Sequence, residues 1–331
     1  MEKQTSVLIM TMLISLSVIA CTSQQQTGGK SIQDVQTGTS GLEMEFLKNA
    51  PPKIVYAQTE FPVILKIKNA GMYTIDDKKK AILSLGAERD YTSSVKVETG
   101  GRISGTDNEA EFTLDGKTPL NPRGDEEVIA YTLKASKIDP QSESHPSSVI
   151  ASLCYPYQTK LAASVCIDPD PNNVRPIKKS CAVQDLSLSA GQGAPVAITK
   201  VEVQILPTSS DKVKPQFIIS VENKGKGEVT KVDSYSSACR KTSDSKKITY
   251  KDFNALGMKA TLSGQELKCS VRAETVSDGS TSDGSNKEFA RLSSKKGVVR
   301  CTYPEDAADS ISKGVESYTA PFTITLDYGY A

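Results

Sequence analysis

The sequence predicts an all-β molecule: two tandem antiparallel β-sandwiches stapled by disulfides. Three observations carry that expectation. Short segments of alternating apolar and polar residues recur along the chain, one such segment is repeated far downstream, and the cysteines beyond the N-terminus are even in number. A chain of 331 residues suits two domains on a prior of about 150 residues each. Segments 81–85, 95–98, 110–114, 128–133, 196–205, 260–262 and 322–326 read as strands, with Gly, Pro, Asn, Asp or Ser between them. No long helical period interrupts them, although residues 251–258 are expected to make one or two helical turns.

The first element is not part of either sandwich. A polar start carrying Lys3 precedes an apolar stretch over residues 7–20. As a helix its fourteen residues would be about 21 Å long, short of a bilayer's hydrocarbon core, so it reads as a secretory signal over 1–20. It ends Val18-Ile19-Ala20-Cys21. An aliphatic residue, a small residue and then Cys resembles the lipobox of bacterial and archaeal lipoproteins, which implies lipidation of Cys21. Residues 21–41 follow with no aromatic side chain until the first strand, and read as a flexible tether.

The first sandwich is expected over 42–170 and the second over 193–331. Val63-Ile64-Leu65-Lys66-Ile67-Lys68-Asn69-Ala70-Gly71 is matched, 154 residues on, by Phe217-Ile218-Ile219-Ser220-Val221-Glu222-Asn223-Lys224-Gly225. Period-two alternation is a half-buried strand, and Asn-x-Gly marks where the backbone leaves the sheet. Val63, Leu65, Ile67, Phe217, Ile219 and Val221 should therefore point inward, with Lys66, Lys68, Ser220 and Glu222 toward solvent. A second match closes each module: Leu153-Cys154-Tyr155-Pro156-Tyr157 and Leu326-Asp327-Tyr328-Gly329-Tyr330 share Leu-x-Tyr-x-Tyr. Each module exceeds a minimal seven-stranded sandwich, so insertions are expected. The linker, 171–192, begins within the stiff, polar breaker Asp168-Pro169-Asp170-Pro171-Asn172-Asn173.

Apart from Cys21, the cysteines are Cys154, Cys166, Cys181, Cys239, Cys269 and Cys301, read as three disulfides with fifteen possible connectivities. Pairing by proximity gives 154–166 and 269–301 and leaves 181–239, one choice among the fifteen. The closest spacing, twelve residues, does not match the clustered pairs of a zinc site.

Composition excludes several classes. Forty Lys+Arg against 39 Asp+Glu leave +1, so there is no basic surplus for nucleic acid. A single histidine, His145, cannot supply a site that needs two imidazoles, and no GxSxG nucleophile motif accompanies it. It reads as a solvated loop residue. Gly100-Gly101-Arg102-Ile103-Ser104-Gly105 lacks the Lys-Ser/Thr ending of a phosphate loop. Asp168, Asp170 and Asn172 alternate as calcium ligands can, but their prolines suit an ordinary linker. The Ser-Asp-Gly-rich run 277–286 lacks EF-hand spacing and reads as a hairpin loop. Lys78-Lys79-Lys80 and Lys295-Lys296 read as solvated loop tips. No metal, cofactor or catalytic residue is assigned.

The strand followed by Asn-x-Gly, together with CYPYQTKLAASVCIDP, GQGAPVAITKVE and TITLDYGYA, resembles uncharacterised archaeal exported proteins with tandem immunoglobulin-like domains of the cell-adhesion-related type. The resemblance spans most of 42–331 and rests on structural motifs. It implies an immunoglobulin-like fold and a surface protein without transferable catalytic residues. The resulting expectation is a non-catalytic binding, adhesion or structural protein on the extracellular face of the membrane. It would be held by lipid on Cys21, with a protein or glycan partner and no nucleic acid. The alternative is a solute-binding or assembly lipoprotein serving a transporter or surface filament. A buried pocket between the domains would favour that alternative, and exposed edge strands or apolar loop tips would favour adhesion.

Overall fold

A computed structural model describes residues 31–175, 178–208, 211–240, 248–270, 272–273, 288–304 and 311–331. The expected signal, Cys21 and the run 277–286 lie outside them. The fold is nearly all β, with antiparallel sheets and three disulfides. The first half carries β1 Leu42–Phe46, β2 Glu60–Asn69, β3 Ala81–Ala87, β4 Thr92–Val97, β5 Ile103–Thr106 and β6 Glu109–Phe112. It closes with β7 Glu126–Ala135 and the long β8 Val149–Ile167. The second half opens with β9 Leu186–Ser187, β10 Val196–Pro207, β11 Lys212–Asn223 and β12 Val229–Thr230. It continues with β13 Ala255–Leu262, β14 Gln265–Glu266, β15 Lys268–Cys269, β16 Arg272–Ala273 and β17 Glu288–Arg291. The last strands are β18 Lys296–Thr302, β19 Ile311–Ser312 and β20 Tyr318–Tyr330. Two short helices accompany them, α1 Ile32–Val35 and α2 Tyr235–Cys239.

The halves repeat one strand order. One sheet runs β1-β2-β7-β4 and its counterpart β10-β11-β18-β15, with β9 added outside β10. The other layers, β8-β3-β6-β5 and β20-β13-β17-β16, join through β8 and β20 into one ten-stranded sheet. β2 and β11 therefore hold the same place, as the repeat predicts. Val63, Leu65, Ile67, Phe217 and Ile219 are fully buried and Val221 nearly so. Burial of each such side chain contributes roughly 1.5–3 kcal/mol, which fixes the register of both strands. Lys66, Lys68, Ser220 and Glu222 point the other way but are half-buried rather than bare, as are Ile64 and Ile218. Buried Leu153 and Leu326 lie on β8 and β20, in the layer opposite these strands. Across the layers Tyr131 Oη donates to the Leu83 carbonyl at 2.9 Å, and Phe217 stacks on Phe322 at 4.4 Å.

The two repeated motifs meet each other in both halves. Asn69 Nδ2 donates to the Tyr73 carbonyl (2.7 Å), and its Oδ1 accepts from the Gly71 N–H (3.2 Å) and from Tyr157 Oη (3.2 Å). Asn223 repeats this with the Gly227 carbonyl (2.9 Å), the Gly225 N–H (3.1 Å) and Tyr330 Oη (3.1 Å). The other tyrosine of each pair accepts from the first residue of a strand: Leu42 N–H to Tyr155 Oη and Val196 N–H to Tyr328 Oη. Gly71 and Gly225 are glycines because a Cβ there would collide with the hydroxyls of Tyr157 and Tyr330. Close approach, not a left-handed turn, sets the third position of Asn-x-Gly.

Three sequence expectations are corrected. Cys154 pairs with Cys239 and Cys166 with Cys181, so 154–166 and 181–239 do not form; 269–301 does, between directly opposed residues of β15 and β18. Sequence proximity missed the first pair because α2 is an insertion of the second half that packs on β3 and β8 of the first. Tyr235 and Cys239 there form a small apolar cluster with Ile82 and Cys154. Residues 31–41 of the expected tether are docked rather than free. Ser31 and Asp34 cap α1, Val35 is buried, Gln36 Nε2 donates to the Lys160 carbonyl, and Gly38 donates its N–H to the Ala190 carbonyl while its own carbonyl accepts from Gly193 N–H. The stretch 251–258 turns without becoming a helix and enters β13, because Ala255, Leu256 and Ala260 are claimed by the sheet. Lys79 and Lys295 are exposed on turns, as expected, and each also has a partner: Lys79 pairs with Asp233 at 3.1 Å, and Lys295 Nζ donates to the Gly225 carbonyl.

Candidate functional site

β2 runs for ten residues from the junction of the halves, where Asn69 sits, to the far end of the first half. At about 3.3 Å per residue that end stands about 30 Å away. Three connections gather there: 47–59 after β1, 88–91 after β3 and 136–148 after β7. They enclose a cavity of about 470 Å³ whose apolar wall includes Phe46, Pro51, Pro52, Val55, Phe61, Ile138 and Val149. Pro-rich backbone and the left-handed residues Asn49 (φ 63°) and Gln58 (φ 61°) turn the first loop so that Ile54 and Tyr56 project outward, 79% and 78% exposed. Isolated exposed apolar residues are ordinary, but two beside an apolar cavity form a patch.

The polar side of this tip is an ordered cluster. The His145 ring stacks on Tyr91 with centroids 3.5 Å apart. Tyr91 Oη donates to Asp139 at 2.6 Å, and this bond to a carboxylate pushes the phenol up to about 12. His145 Nε2 lies 3.4 Å from Glu88 Oε2, which also accepts from Ser147 Oγ at 3.1 Å. His145 is an exposed loop residue, as the sequence reading expects, and is also held in place by Tyr91 and Glu88. Hydroxyl and imidazole share a carboxylate oxygen instead of bonding to each other, so the nucleophile-to-base contact of a triad is not formed here. The arrangement suits surface recognition by apolar contact with an oriented polar rim.

The other singled-out residues go elsewhere. Asp168 pairs with Lys179 Nζ at 2.5 Å. Asp170 accepts from the Val174 and Arg175 N–H groups, and those bonds hold its carboxyl below the usual range. Both carboxylates are occupied in pinning the start of the linker. Among the described residues no cluster of three His, Cys, Asp or Glu is placed to hold a metal. No buried side-chain nitrogen or oxygen among them lacks a partner.

Between the halves the space is filled by rings. Tyr155, Tyr157, Tyr328 and Tyr330 contact one another at centroid distances of 5.6–6.4 Å. Outside this packing two surface grooves, of about 670 and about 530 Å³, flank the bonded pair Gln158–Asp327. Sequence reading missed the Tyr91–His145 stack and the contribution of Tyr73 to both grooves. Their partners are brought together only by loop closure, with no local spacing to show it.

No protein family matches the chain, and no curated protein matches it significantly. Among solved structures, a protein described as glyoxylate-induced from Pseudomonas aeruginosa aligns over 89% of this chain and 84% of its own. The identity is 10% and the TM-score 0.11, so the alignment carries no argument about fold or activity.

Proposed function

We propose that this chain is a non-catalytic binding or adhesion protein of the extracellular membrane surface, built from two immunoglobulin-like sandwich domains and anchored through lipid on Cys21. The observation that carries the reading is the apolar three-loop tip with exposed Ile54 and Tyr56. Loops at the end of a rigid sandwich are where such scaffolds place recognition. The ring-filled junction supports adhesion over the solute-binding alternative, which calls for a buried pocket there. Three disulfides support an oxidising compartment.

The test uses cells displaying the full chain. Ile54→Ser combined with Tyr56→Ser should abolish capture of a surface partner while leaving display level and melting midpoint unchanged, and undiminished capture would overturn the tip assignment. Cys21→Ser should release the protein from membranes, and unchanged membrane retention would overturn the anchor.

A further inference from the structure

The internal duplication exposes an asymmetry. β20 carries a strand along each edge: β13 on one side, and on the other the second part of β8, where residues 158–167 pair with 318–327. Leu-x-Tyr-x-Tyr aligns β20 with β8 at an offset of 173 residues, so the counterpart of 322–327 is 149–154. That segment of β8 is paired with β3 along one edge. Among the described residues no strand pairs with its other edge.

The alternation of the ladder identifies the groups on this edge. Leu85 N–H donates to the Asn108 carbonyl on the β6 side of β3, so Ile82, Ser84 and Gly86 turn toward β8 and bond Cys154, Ser152 and Ile150. The N–H and C=O groups of Val149, Ala151 and Leu153 then point away from β3. Two residues further on, at Tyr155, the same edge receives Tyr330 of β20. The free edge is therefore a direct continuation of an interface the molecule already makes. Ile150 is 66% exposed beside it, and Phe46 of the facing edge strand β1 is 42% exposed, lining the tip cavity together with Val149.

We propose that the Val149–Leu153 edge of β8 takes up an extended segment of a partner polypeptide as an added antiparallel strand. This deepens the binding reading above and rests on it. The chain itself shows what such an edge accepts. The strand covering β20 buries Thr159, Leu161, Val165 and Ile167 on one face and turns Lys160, Ala162 and Ser164 outward. The partner segment is accordingly one of alternating apolar and small or polar residues, held by main-chain bonds, with its apolar side chains against Phe46 and Val149.

The probe is a synthetic peptide of sequence 158–167 with Cys166→Ser, titrated against the full oxidised protein and followed by amide hydrogen exchange. In the free protein the amides of Ala151 and Leu153 should exchange fast and those of Ile150 and Ser152 slowly, and saturating peptide should protect the first pair. Ala151→Pro removes an outward N–H without touching the β3 ladder, so it should weaken binding at least about tenfold at an unchanged melting midpoint. Ala151 and Leu153 amides already slow in the free protein, absence of saturable binding, or unaltered binding by Ala151→Pro would each overturn the proposal. If the peptide fails while Ile54→Ser/Tyr56→Ser still abolishes partner capture, the edge proposal falls and the tip reading stands.

Discussion

Asn223 satisfies three partners and Asn69 four, the fourth being the Leu114 carbonyl at 3.3 Å, at a point where a strand ends, a turn begins and a tyrosine arrives from the other layer. Removing the amide leaves a buried carbonyl, N–H and hydroxyl together, and each such orphan costs about 1–3 kcal/mol. Asn69→Ala should therefore destabilise by at least about 2–3 kcal/mol in urea unfolding. Tyr157→Phe, which keeps the ring and leaves Asn69 Oδ1 bonded to Gly71, should cost only about 1 kcal/mol. A reversed order would show that the ring packing, not the amide, holds the corner. In the tip, where His145 is exposed and Tyr91 half-buried, single substitutions should alter binding more than stability.

β8 is the element that makes one molecule of two halves. Its first part belongs to the β3 layer and its second part to β20, while Cys154 in its middle is tied to α2. The Cys154–Cys239 bridge closes 85 residues and Cys166–Cys181 only 15. On loop-entropy grounds these contribute about 4–5 and about 3 kcal/mol respectively. Removing the first pair by double Cys→Ser should lower stability more than removing the second, and a non-reducing digest should yield the linked peptides 154–239, 166–181 and 269–301. Equal losses would mean that α2 holds its place without the bridge, through contacts such as Tyr235 Oη to the Lys80 carbonyl and Arg240 with Glu109 and Glu111. Within β2, Leu65→Ala should cost about 2–5 kcal/mol, whereas Lys66→Ala should stay near zero, since Lys66 is only half-buried and its ion-pair partner Glu126 is exposed.

At the scale of the whole molecule the halves are related by a local two-fold centred on Pro156 and Gly329. Tyr155 pairs with Tyr330 and Tyr157 with Tyr328, so each tyrosine faces the repeat counterpart of its neighbour. Burial pushes the Tyr155, Tyr157 and Tyr328 phenols well above their ordinary value, and Tyr330 upward as well. A raised folded value for an acid means that the neutral form is what the fold holds. The stabilisation is complete below the unfolded value near 10 and is lost as pH climbs through the raised folded values. The melting midpoint should stay flat from neutrality to about pH 10 and then fall, with junction tyrosinate absorbance rising only as the sheet signal disappears. Ionisation of all four phenols in a persistently folded protein would contradict this.

Strand class, the duplication and the inward faces of β2 and β11 were legible because period-two alternation is a local property, and burial simply acts on it. Asn-x-Gly and Leu-x-Tyr-x-Tyr were legible as repeats, but not as partners of each other. Their meeting requires strands from two layers, and nothing in the spacing of Asn69 and Tyr157 encodes that contact. The pairing of Cys269 with Cys301 followed from two neighbouring β-like segments, whereas Cys154–Cys239 depended on where an inserted helix docks. Docking of residues 31–41 was hidden for the same reason: one buried side chain, Val35, and a few backbone bonds outweigh a polar composition when a groove is already formed. By itself the sequence determined the alternation, the turns and the even set of cysteines, all of which depend on neighbours along the chain. Only the tertiary structure decided which halves share a sheet, which cysteines meet, what gathers at the loop tip and which strand edge is left open. Those outcomes depend on contacts between residues that are distant along the chain and brought together by packing.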